Sequence, residues 1–248
     1  MGNAYEALKK TGFETGSHLS KVQSEFHKIS FSFDISTDKR HLFLTNLDAL
    51  KTNFLTRYAK QDVKTILFSG VSKGCGTSTL AAFFAANLAK ESKLKVLLID
   101  ANFRRPSLHH IFRIPQNSGM LDLLKLEDPT GFKIRRIGSD YLYFLPSGGV
   151  SPDPVRLLGS SQFDGFINKV RKSLDFIVID SPSPSTYPES KIICSKLDGV
   201  IIVADAEISR RQVAMRMKKD FQEAGGRVLG VILNKRSYYI PKWLYDKI

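Results

Sequence analysis

The chain has 248 residues, enough for one α/β domain with extensions, and its 42% hydrophobic and 25% charged content is typical of a soluble globular protein. No apolar run approaches the ~20 residues of a membrane span, and two cysteines, Cys75 and Cys194, are too few for a disulfide framework. We therefore expect a cytoplasmic protein with no transmembrane segment of its own. Its net charge of +13 indicates an acidic partner such as nucleic acid, anionic lipid or a polyphosphate.

The first 41 residues are predicted to lie outside the main domain. Asn3 to Lys10 predicts a short helix, and Thr11 to Arg40 is polar and weakly periodic, as in a linker or arm. From Leu42 onward, apolar residues recur at spacings of three and four, which predicts an amphipathic helix whose inner face carries Leu47, Leu50, Phe54 and Tyr58. This face covers either an edge of the central sheet or a neighbouring subunit.

A strand, a glycine-rich turn and a helix follow from Thr65 to Lys90, in the order of a phosphate-binding loop. The residues predicted to contact phosphates are Gly74, Cys75, Gly76, Thr77, Ser78 and Thr79. The usual pattern, G-x-x-x-x-G-K-[ST], places a lysine where this chain has Thr77. The anion cradle is therefore predicted without its usual ammonium group.

Further apolar runs alternate with helical segments along the rest of the chain. Strands are predicted at 94–100, 142–145, 175–180, 200–204 and 228–233, and helices at 119–126, 188–197 and 209–224. Continuous apolar strands separated by helices predict an α/β fold, with a doubly wound, mainly parallel sheet covered by helices on both faces. The main domain is predicted to span 42–236, followed by a tail over 237–248.

Two strands are predicted to end in carboxylates, Asp100 and Asp180, at the sheet edge that also carries the phosphate-type loop. With the hydroxyl of Ser78, they have the chemistry to hold Mg²⁺ or its waters. A single strand-terminal Asp is more often a turn former or helix cap. Two of them beside a glycine loop favour a nucleotide site instead.

Basic residues follow the first carboxylate. Arg104 and Arg105 either clamp phosphates, pair with acids of a neighbouring subunit, or lie in a solvated loop. His109 and His110 point in different directions on a helix and have no Cys, Asp or Glu at ligand spacing, so no transition-metal site is predicted.

Five segments together resemble one family. They are VKTILFSGVSKGCGTST, KVLLIDANFRRPSLHHIF, LPSGGVSPDPVRLL, DFIVIDSPS and DGVIIVADAEISRRQ, and they resemble the bacterial tyrosine autokinases of capsule and exopolysaccharide systems over about Leu42 to Arg236. The resemblance implies a phosphate-loop fold related to chromosome-partitioning and division-site ATPases. It also implies ATP with Mg²⁺ between the subunits of a homo-oligomeric ring, and a membrane partner that regulates polysaccharide chain length.

Two departures from the family bear on catalysis. The family has lysine at Thr77, and its D-x-D motif is Asp100, Ala101 and Asn102 here. A hydroxyl and an amide replace an ammonium and a carboxylate, so phosphoryl transfer is expected to be weakened. Lys73 is the candidate substitute cation, since it lies one position from a lysine that reaches across the dimer in partitioning-type ATPases.

Other family features are also altered. The oligomerisation motif E-x-x-R-x-x-R corresponds here to Thr45, Asp48 and Lys51. Asn234 stands where relatives of the fold contact the adenine, although a strand-end turn former is an equal alternative. The family's C-terminal tyrosine cluster is represented by Tyr238, Tyr239 and Tyr245, which are either phosphoacceptors or part of an aromatic, basic tail on the sheet edge or a membrane.

The residues and the resemblance together predict a cytoplasmic autokinase-like protein, peripheral at the inner face of the plasma membrane. It is expected to be catalytically weakened, a pseudokinase that acts by binding the membrane chain-length regulator. Asp100, Asp180 and Asn102 occupy its catalytic positions, and Ser78 and Asp100 its metal positions. The alternatives are an active tyrosine autokinase, and a partitioning-type ATPase on membrane or nucleic acid. The segment LPSGGVSPDPVRLL makes nucleic acid the less favoured partner, because it resembles the autokinases.

Overall fold

The structure is a computed structural model that describes residues 37–58, 61–116, 118–125 and 134–236. The predicted Asn3–Lys10 helix and the tail at 237–248 lie outside these residues. The helices are α1 (Thr37–Tyr58), α2 (Thr77–Ser92), α3 (Leu108–Ile111), α4 (Met120–Lys125), α5 (Pro154–Leu158), α6 (Ser161–Arg171), α7 (Glu189–Cys194) and α8 (Arg211–Glu223). The strands are β1 (Thr65–Gly70), β2 (Val96–Asp100), β3 (Arg135–Arg136), β4 (Leu142–Leu145), β5 (Phe176–Ser181), β6 (Gly199–Asp205) and β7 (Val228–Asn234).

The strands form one seven-stranded sheet in the order β3-β4-β2-β5-β1-β6-β7. Every neighbouring pair is parallel except β3 with β4. The central strands β1, β2, β5 and β6 are buried along their whole length, which is why they appear in the sequence as unbroken apolar runs. The predicted fold class is confirmed.

The order of the strands also explains the two helical layers. The chain leaves β1 through α2 toward β2, whereas it leaves β5 through α7 toward β6, in the opposite direction along the sheet. Right-handed crossovers in opposite directions place their helices on opposite faces. The sheet is therefore doubly wound, and the direction changes between β5 and β1, where ligands bind in such folds.

Helix α1 packs within the chain through the face that the sequence predicted. Leu47 and Phe54 are buried, and the Phe54 ring lies 5.4 Å from that of Phe84 on α2 and 5.8 Å from that of Phe176 on β5. The Tyr58 hydroxyl donates to the Leu229 carbonyl at 2.7 Å. The helix begins at Thr37, so the predicted start near Leu42 was wrong by five residues and the predicted boundary after residue 41 falls inside α1.

The segment from 154 to 171 contains two helices that were not predicted, α5 and α6. Asp153 caps α5 by accepting from the Arg156 N–H, and Ser160 caps α6 by accepting from the Phe163 N–H. Both caps satisfy N–H groups that the first helical turn leaves unpaired. No helix in the described part of the chain is long and apolar enough to cross a membrane.

Candidate functional site

The glycine-rich loop between β1 and α2 has the backbone of an anion cradle. Gly74 and Gly76 adopt φ angles of +86° and +82°, which side-chain-bearing residues rarely adopt. A Cβ at Gly76 would also collide with the side-chain amide of Asn234. The predicted loop therefore forms, and both the φ angle and the nearby Asn234 amide disfavour a side chain at position 76.

Neighbouring strands hold this loop in place. The Val71 carbonyl accepts from the hydroxyls of Ser183 and Ser185 at 3.0 and 3.1 Å, both in the segment after β5. The side-chain amide of Asn234, the last residue of β7, donates to the Cys75 carbonyl at 2.8 Å. Asn234 thus supports the loop directly, and this contact accounts for its position independently of any base contact.

The loop forms one wall of a cleft of about 460 Å³. Eight of the predicted site residues line it, namely Lys73, Gly74, Gly76, Thr77, Ser78, Thr79, Asn102 and Arg105. Lys73 and Arg105 are the basic side chains among the described residues of its wall. Cys75 is buried instead, with its thiol 3.4 Å from the backbone N–H of Ser72 that donates to it.

The two predicted carboxylates do converge, because Asp100 and Asp180 are direct partners in the register of β2 with β5. Asp180 accepts from the Ser78 hydroxyl at 2.5 Å, while its other oxygen, Oδ1, is buried without a hydrogen-bond partner among the described residues. Asp100 instead accepts from three backbone N–H groups, each at 3.1 Å, of Asn102, Ser107 and Leu108. Asp100 therefore organises the loop after β2, whereas Asp180 keeps an uncommitted oxygen.

Burial raises the pKa of both carboxyls, and the charge of Asp100 raises that of Asp180 further. Burial raises the pKa of Asp100 to about 6, although its backbone hydrogen bonds lower it in part. Burial, and then the charge of Asp100, raise the pKa of Asp180 well above its ordinary value, with the Ser78 hydrogen bond acting in the opposite direction. Two adjacent buried carboxyls are unfavourable when both are ionised, and a cation beside them would relieve that repulsion.

Arg104 and Arg105 have different surroundings, although they are adjacent. The Arg104 guanidinium donates to the buried Glu189 carboxylate at 2.8 Å and lies over the ring of Tyr187 at 5.0 Å. Arg105 is exposed at the cleft, and its backbone N–H donates to the Asn102 side-chain oxygen at 3.1 Å. Arg105 therefore lies at the cleft, whereas Arg104 is paired with Glu189 of the same chain.

Several site residues were missed by the sequence analysis. Ser107, Ser181, Ser183, Thr186 and Tyr187 all line the cleft. Most of them belong to SPSPSTY, the run from 181 to 187 that follows β5. A hydroxyl-rich run directly after a strand that ends in a site carboxylate was the available signal. Glu189 had no such signal, because its partner Arg104 is 85 positions away in the sequence.

The site fits a magnesium nucleotide in part. The cradle geometry, the Ser78 hydroxyl and the free Asp180 oxygen suit a phosphate with a hard cation, which prefers oxygen ligands. Thr77 lines the cleft at the position where an ammonium group would neutralise transferred phosphate. The described residues therefore offer oxygen ligands for a cation, but no ammonium group at position 77.

A doubly wound sheet with a glycine loop, a following helix and strand-end carboxylates defines the class of phosphate-loop NTPase-like proteins. The chain is 31% identical over 186 residues to a putative tyrosine-protein kinase, CapB of Staphylococcus aureus, covering 75% of this chain and 81% of the relative. It is 30% identical over 189 residues to the tyrosine-protein kinase CpsD of Streptococcus agalactiae, covering 76% of this chain and 81% of the relative. The chain belongs to the bacterial tyrosine autokinase family of capsule and exopolysaccharide systems.

Solved structures agree with this assignment. The kinase domain of VpsO superposes with a TM-score of 0.71 at 28% identity, covering 82% of this chain and all of that domain. MinD of Pyrococcus horikoshii, solved with Mg-ADP, superposes with a TM-score of 0.56 at 27% identity, covering 73% of this chain and 76% of MinD. The predicted relation to division-site ATPases is thereby confirmed at the level of the fold. No family model matches the chain.

Proposed function

We propose that this protein is a catalytically weakened member of the autokinase family, a nucleotide-binding pseudokinase of capsule or exopolysaccharide assembly. It acts by contact with a membrane chain-length regulator, and it is cytoplasmic and peripheral at the inner face of the plasma membrane. The observation that carries the proposal is the side chain at the start of α2. Thr77 lines the phosphate cleft where the family has lysine, and a hydroxyl supplies no charge for the β- and γ-phosphates.

The second wall of the cleft supports the same proposal. Asn102 replaces a family carboxylate, and its side-chain oxygen accepts from the Arg105 backbone N–H. An amide neither takes a proton nor binds Mg²⁺ as a carboxylate does. Asp180 and Ser78 would then hold the metal ion, which neutralises phosphate charge when bound. Both oxygens of Asp100 already accept backbone hydrogen bonds. A metal-binding or catalytic role for Asp100 therefore stays a prediction.

The test is calorimetric titration of the full chain with ATP and Mg²⁺, beside a Thr77→Lys/Asn102→Asp variant. We expect the variant to bind at least ~10-fold more tightly, because Thr77→Lys adds a charge-assisted contact to phosphate, which is worth about 1.5–3 kcal/mol. Lys73→Ala should abolish residual binding by the natural chain, since Lys73 is its loop cation. Equal affinities for the natural chain and the Thr77→Lys/Asn102→Asp variant would contradict the proposal.

An active tyrosine autokinase is the second candidate, and it is favoured by the position of Lys73 at the cleft. In that case Lys73 replaces the missing ammonium, Arg105 contacts phosphate, and Tyr238, Tyr239 and Tyr245 accept it. Incubation with Mg²⁺ and ATP, followed by mass spectrometry of the tail, separates the two candidates. Phosphotyrosine that disappears in the Lys73→Ala variant would establish the kinase and overturn the pseudokinase.

A further inference from the structure

Helix α8 and the turn before it form the most basic short segment of the described chain that also exposes apolar side chains. The twelve residues from Ile208 to Lys219 contain five basic residues and no acidic one, the basic residues being Arg210, Arg211, Arg216, Lys218 and Lys219. Ile208 is 75% exposed and Met215 is 54% exposed. Charge and apolar surface therefore occur together here.

One side of α8 packs on the protein, and the opposite side is exposed. Met217 and Phe221 are buried against the body of the protein. Arg211, Met215 and Lys219 are spaced by four and exposed, so they form one ridge along the helix. We call the exposed side chains of Ile208, Arg210, Arg211, Met215, Arg216 and Lys219 the α8 outer face.

Acidic residues nearby pair with only one basic side chain of this face, Lys219, among the described residues. Asp220 pairs with Lys191 of α7 at 2.7 Å, and Glu223 pairs with Lys219 at 3.4 Å. Within the part of the chain that the structure describes, Arg210, Arg211 and Arg216 have no ion pair. Their positive charge is thus available to a partner.

We propose that the α8 outer face binds directly to the surface of an anionic lipid bilayer. Guanidinium groups complement lipid phosphates, and the interface also accepts Ile208 and Met215 below the headgroups. Nucleic acid would match the charge alone and would leave these two side chains in water. The inference goes beyond the proposed function, because this contact requires neither nucleotide nor a protein partner.

The test is co-sedimentation of the full, nucleotide-free chain with vesicles of phosphatidylcholine and phosphatidylglycerol in equal parts, against phosphatidylcholine alone. We expect binding to the anionic vesicles only, and weaker binding as salt is raised. Arg211→Glu/Arg216→Glu should weaken binding at least ~10-fold, since each basic residue near such a surface contributes about fivefold. The matched control is Lys90→Glu/Lys172→Glu, which changes the net charge equally at exposed sites outside α8.

Met215→Ser tests whether the apolar Met215 side chain inserts into the bilayer, because the substitution leaves the net charge constant. It should reduce vesicle binding. If the charge-reversal variant does not fold, Arg211→Gln/Arg216→Gln gives the same comparison with neutral side chains. Equal losses in the α8 variant and the matched control would overturn the proposal. Unchanged vesicle binding by the α8 variant would also overturn it. This includes the case in which a parallel titration with duplex DNA shows that the variant has lost affinity only for DNA. Because no nucleotide is present, failure here leaves the pseudokinase test unaffected.

Discussion

Asp180 has an unusual position for a carboxylate, because it is buried beside Asp100 and one of its oxygens has no partner among the described residues. Its raised folded-state pKa has a defined consequence for stability. As pH rises above ~4, the unfolded state releases this proton before the folded state does, so the free energy of unfolding falls until the pH passes the folded-state pKa. Asp100, with its pKa of about 6, acts in the same direction.

We therefore expect Asp180→Asn to unfold at a higher temperature than the natural chain at pH 8 without Mg²⁺, because the amide carries no buried charge beside Asp100. Mg²⁺ should stabilise the natural chain and not the variant, because the cation's ligand is gone. Thermal unfolding at pH 5 and pH 8, with and without Mg²⁺, measures both effects. Glu91→Gln, at an exposed site, is the control. A natural chain that is equally stable at both pH values would contradict the prediction.

The two left-handed glycines of the loop offer a matched pair of substitutions. A methyl group added at Gly74 would lie in open space, whereas one added at Gly76 would meet the Asn234 amide. We expect Gly74→Ala to lose ~1 kcal/mol of unfolding free energy through its φ angle alone. Gly76→Ala should lose more, because it also displaces Asn234 from the Cys75 carbonyl. Denaturant unfolding of both variants tests this, and equal losses would show that Asn234 moves without cost.

At the scale of elements, Asp198 joins three segments. It precedes β6 and accepts from the Lys64 and Thr65 backbone N–H groups, each at 2.8 Å, and from the Arg171 guanidinium at the end of α6 at 2.5 Å. Burial raises the pKa of Asp198, but these hydrogen bonds outweigh it and lower the pKa overall.

A lowered folded-state pKa means that this stabilisation is complete above the unfolded value of ~4 and is lost as pH falls through the folded value. Asp198→Asn should therefore destabilise the protein at pH 7 by ~1–3 kcal/mol, since a charge-assisted contact is weakened. The difference between variant and natural chain should shrink below pH 4. Urea unfolding across that range is the measurement, and a difference that does not change with pH would argue against an ionised Asp198.

Phe54 connects α1 to the rest of the core, with rings of Tyr58, Phe84 and Phe176 within 5.8 Å. We expect Phe54→Ala to cost ~3–5 kcal/mol of unfolding free energy, because it leaves a cavity among these rings. Leu44→Ala, on the same helix but 44% exposed, should cost less than ~1 kcal/mol. Denaturant titration of the two variants compares them, and a small loss for Phe54→Ala would mean that α1 is not part of the cooperative unit.

The central strands could be predicted from sequence because burial on both faces leaves long apolar runs, and β4 was predicted within its observed bounds. The five-residue α5 was missed because it is too short to show helical periodicity, although Asp153 and Pro154 begin it as a cap and first-turn proline do. The cradle and the Asp100–Asp180 pair followed from strand ends. The Arg104–Glu189 pair could not be predicted, because it depends on how segments far apart in sequence pack together.

At the scale of the whole molecule, the resemblance to the autokinases predicts that any self-association would involve α1. Thr45, Asp48 and Lys51 occupy the family's oligomerisation positions, where an acid and two arginines would form contacts between subunits. Asp48 is instead engaged within the chain, since it accepts from Asn87 at 2.8 Å and from Lys51 at 3.4 Å. An acid therefore stands where a basic residue is needed, and it already has internal partners.

We accordingly expect the natural 27.8 kDa chain to associate much more weakly than a Thr45→Glu/Asp48→Arg/Lys51→Arg variant, which restores complementary charges. Sedimentation velocity over a range of concentrations measures the difference. Thr52→Glu/Asn53→Arg/Thr56→Arg is the control, because it introduces the same three side chains at exposed positions of the same helix and changes the net charge by the same amount. If the control assembles as readily as the first variant, added charge rather than the motif drives assembly. If the natural chain already forms rings, the prediction is wrong and assembly does not require this motif.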